Sequence, residues 1–190
     1  MILSDKKIGF AFDLHGTLVQ SNEAWITAFL LEIGENSVRD DIQKMVYQKT
    51  SRRDISVRYG IDFEKVQKRY YDIVEPDYNM CNLVNILSNN YPTFLISSAP
   101  MERVERDLRT ASLDAVFLKK FYSGTFCKQN REDWENLLVE FGLDLLFYIG
   151  NDYEEDIINY DKVCTLLNGK FLCRLGELGF LYKRERREVL

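Results

Sequence analysis

The spacing of apolar positions changes several times along this chain, and each change marks an element. Ile8 to Phe12 is a short apolar run behind Lys6-Lys7, and it ends at Asp13. A run this short reads as a strand buried on both faces, carrying the aspartate at its C-terminal end. Gly16 allows a turn. From Ser21 the period lengthens, with Trp25, Ile26, Phe29, Leu30 and Ile33 at helix spacing. Ile42, Met45, Val46 and Lys49 mark a second helical segment. Phe63, Val66, Tyr70 and Ile73 mark a third, which Pro76 stops. Met80, Leu83, Val84 and Leu87 give a further amphipathic helix. Thr93 to Ile96 then returns to a strand pattern and ends at Ser97-Ser98. Pro100 suits the first turn of a helix bearing Met101, Val104 and Leu108. Trp134, Leu137, Leu138 and Phe141 define another helix, closed by Gly142. Leu145 to Ile149 is a third strand, ending in Gly150-Asn151-Asp152, and Val163 to Leu167 is a candidate fourth.

Strands alternating with helices, and an all-helical stretch after the first strand, predict an α/β protein with a doubly wound, Rossmann-like parallel sheet. The expected division is a core of residues 1–19 and 77–190 with a small helical cap of residues 20–76. In such sheets ligands sit at the carboxyl ends of the strands, near a topological switch point. Asp13, Ser97 and Asn151-Asp152 all lie at predicted strand ends, so one crevice can gather them.

Composition narrows the class. The chain has 190 residues, of which 46% are hydrophobic, enough for a substantial core. Its formal charge of −5 argues against a basic nucleic-acid surface over the whole chain, so no nucleic acid is expected as a partner. Cys81, Cys127, Cys164 and Cys173 form no C-x-x-C pair, and a single histidine cannot complete a Cys/His zinc cluster. They read as reduced thiols of a cytoplasmic protein. No apolar segment follows Lys6-Lys7 as a signal sequence would require, and no window is long and apolar enough for a membrane span. There is no internal repeat. The alternating charges of Lys183 to Glu188 read as a solvated end.

The segment Phe12-Asp13-Leu14-His15-Gly16-Thr17-Leu18 resembles the nucleophile motif of the haloacid-dehalogenase-like (HAD) superfamily, D-x-D-G-T-L. Val19-Gln20-Ser21 extends the likeness. Three further elements fit the same pattern. Ser97, with Ser98 as its neighbour and competitor, follows an apolar strand where the family places a hydroxyl that bonds a phosphoryl oxygen. Lys119, Lys120 and Lys128 are candidates for the family's lysine. Lys128 is favoured, because it lies 22 positions before Gly150 and just ahead of the Trp134 helix. Gly150-Asn151-Asp152-Tyr153-Glu154-Glu155-Asp156 resembles the acidic metal motif in two registers, led by Asn151 or by Asp152 and closed by Asp156.

The resemblance implies a Mg²⁺-dependent phosphomonoester hydrolase acting on a small phosphorylated metabolite. Asp13 would attack phosphorus and form an aspartyl-phosphate that water then hydrolyses. Mg²⁺ would be held by Asp13, the backbone carbonyl of His15, Asn151 or Asp152, and Asp156. Lys128, Ser97, Ser98, Gly16 and Thr17 would cradle the phosphoryl group. The family's second aspartate, which protonates the leaving group, is here His15, the only histidine in the chain. Three outcomes stay open: His15 is the acid/base, the enzyme is slow or selective for good leaving groups, or the cradle binds phosphate without turnover. Superfamily members that cleave C–halogen or C–P bonds also lack that aspartate. The stretch from Gln20 to Pro76 resembles a helical cap that selects substrates. Within it, Lys44, Lys49, Arg52, Arg53 and Arg58 face only one acid, Asp54. These charges read first as solvated helix faces and an inter-helix loop; the sharper alternative is that Arg52 or Arg53 reaches a second anionic group on the substrate. Trp25 is expected in the core rather than as a stacking platform. Oligomeric state and substrate identity are not specified.

Overall fold

The computed structural model describes residues 6–152, 156, 158 and 160–167. Its sheet has five parallel strands in the order β3-β2-β1-β4-β5: β1 (Ile8–Phe12), β2 (Thr93–Ile96), β3 (Lys119–Phe121), β4 (Leu145–Gly150) and β5 (Val163–Leu167). The chain starts at the centre, winds outward through β2 and β3, then returns to β1's other side for β4 and β5. The switch point lies between β1 and β4, and Asp13 N donates to Ile149 O there at 2.8 Å. A doubly wound sheet opens its ligand crevice at that place. β1 and β2 are buried almost throughout, as a parallel strand covered on both faces must be.

Among the described residues seven helices accompany the sheet: α1 (Ser21–Ile33), α2 (Arg39–Tyr47), α3 (Arg52–Tyr59), α4 (Phe63–Ile73), α5 (Tyr78–Ser88), α6 (Met101–Thr110) and α7 (Arg131–Phe141). The first four lie between β1 and α5. α1 packs on α2 and α4, and α3 on α4. The chain leaves and re-enters this helical group through paired segments, with Gln20 N donating to Glu75 O and Asp77 N to Leu18 O, each at 2.8 Å. The apolar interior is continuous across that crossing. Trp25, Ile26, Phe29 and Tyr70 join one buried cluster with Phe12, Leu95 and Val104. A second cluster lies under the opposite sheet face, around Trp134, Leu138 and Tyr148.

The apolar periodicity located most elements to within a few residues, and two escaped it. α3 buries only Ile55 and Ser56, too few to give a helical stripe. β3 is three residues long, two of them lysines. Lys49, expected on the second helix, lies past its end with φ +59. The predicted helical starts and stops have local causes. Asp62, Asp77 and Asn130 accept backbone N–H bonds at the starts of α4, α5 and α7. Gly34 and Gly142 take left-handed φ where α1 and α7 end. No helix among the described residues is long and apolar enough to cross a membrane.

Candidate active site

A crevice of about 690 Å³ opens at the carboxyl ends of β1, β2 and β4. Among its lining residues are Asp13, His15, Ser97, Ser98, Lys128, Asn151, Asp152 and Asp156. Four separate stretches of sequence therefore meet there. Arg52 lines it as well. Arg53 is exposed on the helical side, its guanidinium 5.1 Å from the Phe63 ring, and it is not among the lining residues.

The turn after β1 aims Asp13. Leu14 O accepts from the N–H groups of Thr17, Leu18 and Val19, folding the chain tightly back. Gly16 has φ +85, and a Cβ there would stand 2.4 Å from Asn151 Nδ2. Only glycine meets both demands. Thr17 is buried, and its hydroxyl donates to Asn151 Oδ1 at 3.3 Å. Gly16 and Thr17 thus seat the Asn151 side chain on the turn.

Lys128 is the lysine that reaches the aspartate. Its Nζ donates to Asp13 Oδ1 at 2.9 Å and to Asp156 Oδ1 at 2.8 Å, with all three groups buried. Trp134 anchors it by donating Nε1–H to Lys128 O at 2.8 Å. Lys119 and Lys120 pair instead with Glu140 and Glu105, away from the crevice. Burial alone would lower the Lys128 pKa, but Asp13 and Asp156 carry it above its ordinary value. Asp13 is raised to about 6, chiefly by burial; Lys128 opposes the rise and Asp156 adds to it. A carboxylate held this way needs further positive charge to stay ionised.

Asp156 is fully buried and saturated. Its Oδ1 accepts from Lys128 and from Tyr148 OH, and its Oδ2 from the N–H groups of Asn151 and Asp152 at 3.0 and 2.9 Å. It clamps the loop after β4 and the lysine together. Gly150 is needed beneath it, since a Cβ there would stand 2.1 Å from Asp156 Oδ2. Asp152 points the other way, and its Oδ2 receives Lys49 Nζ at 2.8 Å from the helical group. Ser97 is buried at the end of β2, and its Oγ accepts from Ala99 N at 3.2 Å. Its hydroxyl proton remains available for an incoming oxygen. α6 begins after Pro100, so neither serine caps it.

His15 belongs to a polar cluster that the motifs did not announce. Its Nε2 lies 2.8 Å from Oδ2 of Asp107, a fully buried carboxylate on α6. The same oxygen accepts from Tyr70 OH at 3.0 Å, and Arg103 Nη2 donates to that hydroxyl at 3.3 Å. Tyr70 comes from α4, so the cluster joins the helical group to the sheet side. Trp25 is buried and stacks on Tyr70 with centroids 4.2 Å apart. The His15 pKa is lowered to about 4, first by burial, with Asp107 opposing and Arg103 assisting. Burial thus favours the uncharged ring, and with Asp107 ionised such a ring donates its Nε2–H there and carries its lone pair on Nδ1. The helical spacing of Val104 and Leu108 on α6 foretold a buried face but not an aspartate on it.

No family model matches the chain, and no curated protein matches it. Solved structures do. A hydrolase from Streptococcus pneumoniae TIGR4 superposes with a TM-score of 0.64 at 18% identity, covering 85% of this chain and 92% of that one. The haloacid dehalogenase-like family protein SP0104 from Streptococcus pneumoniae gives a TM-score of 0.58 at 14% identity over 86% and 85%. The chain has a HAD-like fold. The magnesium-bound HAD-hydrolase YfnB from Bacillus subtilis shares it with a TM-score of 0.58, 14% identity and 80% and 82% coverage.

The donors beside Asp13 are suited to a hard cation. Asp13, Asn151 and Asp152 line one crevice and offer only oxygen among their side-chain acceptors, and the His15 carbonyl follows Asp13 by two residues. Among the described residues no group of three His, Cys, Asp or Glu side chains gathers around a point, so such a cation would retain much of its water.

Proposed function

We propose that this protein is a Mg²⁺-dependent phosphomonoester hydrolase acting through Asp13 on a small phosphorylated metabolite in the cytoplasm, with residues 20–76 as its cap. The observation that carries this reading is the buried Asp13–Lys128–Asp156 cluster at the switch point of a HAD-like sheet. Asp13, Asn151 or Asp152, and the carbonyl of His15 would hold Mg²⁺, with Asp156 acting through the loop it clamps. When bound, the ion supplies positive charge against a phosphoryl dianion.

This chain's own groups do the rest. Asp13 carboxylate attacks phosphorus in line, the ester oxygen leaves with the bonding pair, and an aspartyl-phosphate forms. Lys128 offsets the charge of both carboxylates and of the phosphoryl oxygens. Ser97 and Ser98 offer hydroxyl donors at the strand end, and Gly16 and Thr17 keep the turn closed around Asn151. His15 has no proton to give from Nδ1, so it serves as the base that takes a proton from the water that hydrolyses the intermediate. Departure of the first leaving group is then unassisted, which favours leaving groups of low pKa. The same neutral ring supports a second reading, a cradle that binds phosphate with little turnover of alkyl esters.

The deciding experiment is hydrolysis of p-nitrophenyl phosphate and of glycerol 3-phosphate, with Mg²⁺ or EDTA, for wild type, Asp13→Asn and His15→Asp. Mg²⁺-dependent turnover of the aryl ester, lost in Asp13→Asn, is expected. His15→Asp should raise the alkyl rate relative to the aryl rate. Turnover that survives Asp13→Asn would sink the covalent mechanism.

A further inference from the structure

Among the described residues, the lysines and arginines lining the crevice are Lys49, Arg52, Arg103 and Lys128. Lys128 is paired with Asp13 and Asp156, and Lys49 with Asp152. Arg103 approaches Asp107 at 3.7 Å. Arg52 has carbonyl partners instead, donating to Thr50 O at 2.8 Å and Val46 O at 3.5 Å, with no ion-pair carboxylate among the described residues. The guanidinium carbons of Arg52, on α3, and Arg103, on α6, lie 5.9 and 5.5 Å from the centroid of one ring, Trp25. Burial, and next the charge of Arg103, pull the Arg52 pKa down to about 10. Two like charges that line one crevice from different elements, one of them with no carboxylate partner among the described residues, cost free energy until an anion joins them.

We infer that Arg52 and Arg103 form a second anion subsite, so that the substrate is a small phosphomonoester carrying another anionic group, a carboxylate or a second phosphate. The inference rests on the phosphoryl-site reading above. Lys128 is committed to Asp13 and Asp156 at the strand ends, whereas the charge of Arg52 faces no ion-pair carboxylate among the described residues. A guanidinium has five N–H donors in a planar fork, and each arginine here spends few of them. Tyr70 holds Arg103 by its hydroxyl, and the two carbonyls hold Arg52, so both forks are fixed before a ligand arrives. The crevice volume of about 690 Å³ suits a molecule bearing two such groups. Arg53, beside Arg52 in sequence, faces Phe63 and takes no part.

The test is calorimetric binding to the Asp13→Asn protein with Mg²⁺, using inorganic phosphate and two matched pairs. One pair is 3-phosphoglycerate against glycerol 3-phosphate, and the other is fructose 1,6-bisphosphate against fructose 6-phosphate. The member of at least one pair that carries the second anionic group should bind about tenfold tighter or better, and the pair that shows it names that group. That ratio should fall to within about twofold in Arg52→Gln and Arg103→Gln, and only partly in Arg52→Lys, which keeps the charge but loses the fork. Arg58→Gln, a surface change, should keep the ratio, and melting curves should confirm that each variant is folded. Phosphate binding without any preference for the ligand with two anionic groups, or a preference that survives both glutamine variants, overturns the subsite alone. Absence of phosphate binding overturns the phosphoryl site and the subsite together.

Discussion

Asp13 is costly to ionise even with an ammonium 2.9 Å away, and that cost has a measurable sign. Its folded pKa of about 6 lies above the unfolded 3.8, so the folded protein holds the proton more tightly. Stability from this group is therefore lost as pH rises from about 4 through 6. His15 runs the other way. Its folded pKa of about 4 lies below 6.5, so stability from it is present above pH 6.5 and is lost as pH falls through that window. The two trends offset in metal-free wild type. In Asp13→Asn only the histidine remains, and urea melts should show stability rising steeply from pH 4 to 6.5. Relative to wild type, the variant should gain about 2 kcal/mol across that range while losing phosphatase activity. A parallel pair of pH curves would contradict the assignment. At Lys128, substitution by alanine strands two buried carboxylates and should cost about 3–5 kcal/mol, whereas Lys120→Ala, at a partly exposed pair with Glu105, should cost under about 1 kcal/mol. Chemical denaturation of both variants at pH 7 distinguishes them.

Among the elements, the turns after β1 and β4 determine where those side chains point. Each carries a glycine that no other residue replaces. Gly16→Ala must adopt φ near +85 and push on Asn151, and Gly150→Ala must displace the buried Asp156. Each should lower stability by about 1–3 kcal/mol, with activity falling further than stability because the clamp on Lys128 moves. Thermal melts beside aryl phosphate assays would separate the two losses. The signature of these turns was legible in sequence, since Gly16 stands in the Asp13-to-Leu18 motif and Gly150 ends a strand. α3 was not legible, because its stability comes from packing two residues and not from a stripe. β3 was hidden for a similar reason, its Lys119 and Lys120 being drawn into the sheet by pairing with Phe94 and Leu95.

For the molecule as a whole, Tyr70 and Asp107 make the helical group and the sheet side share one buried polar cluster. Tyr70→Phe removes a donor from a fully buried carboxylate whose Oδ1 has no hydrogen-bond partner among the described residues. It should cost about 1–3 kcal/mol and loosen the helical group, with hydrogen exchange rising in α1 and α4 before β1 and β4. Uniform exchange across the chain would show that the two parts open together, as their continuous apolar cluster also allows.

The chain's own pattern of residues determined four of the five described strands, the order of their appearance, and the placing of Asp13 and Ser97 at strand ends. Apolar runs of strand length, and charged residues placed directly after them, are local properties that survive without any knowledge of contacts. The tertiary structure alone decided which groups oppose one another. The choice of Lys128 over Lys119 and Lys120 as Asp13's neighbour became a distance only when α7 and β4 were packed. The Asp107 carboxylate on His15, the Tyr70 bridge and the Arg52–Arg103 pair join residues as far apart as 92 positions, and no local rule relates them. Long-range polar contacts are fixed by burial, where an unpaired group costs more than a mismatched one gains, and burial exists only once the whole chain has folded.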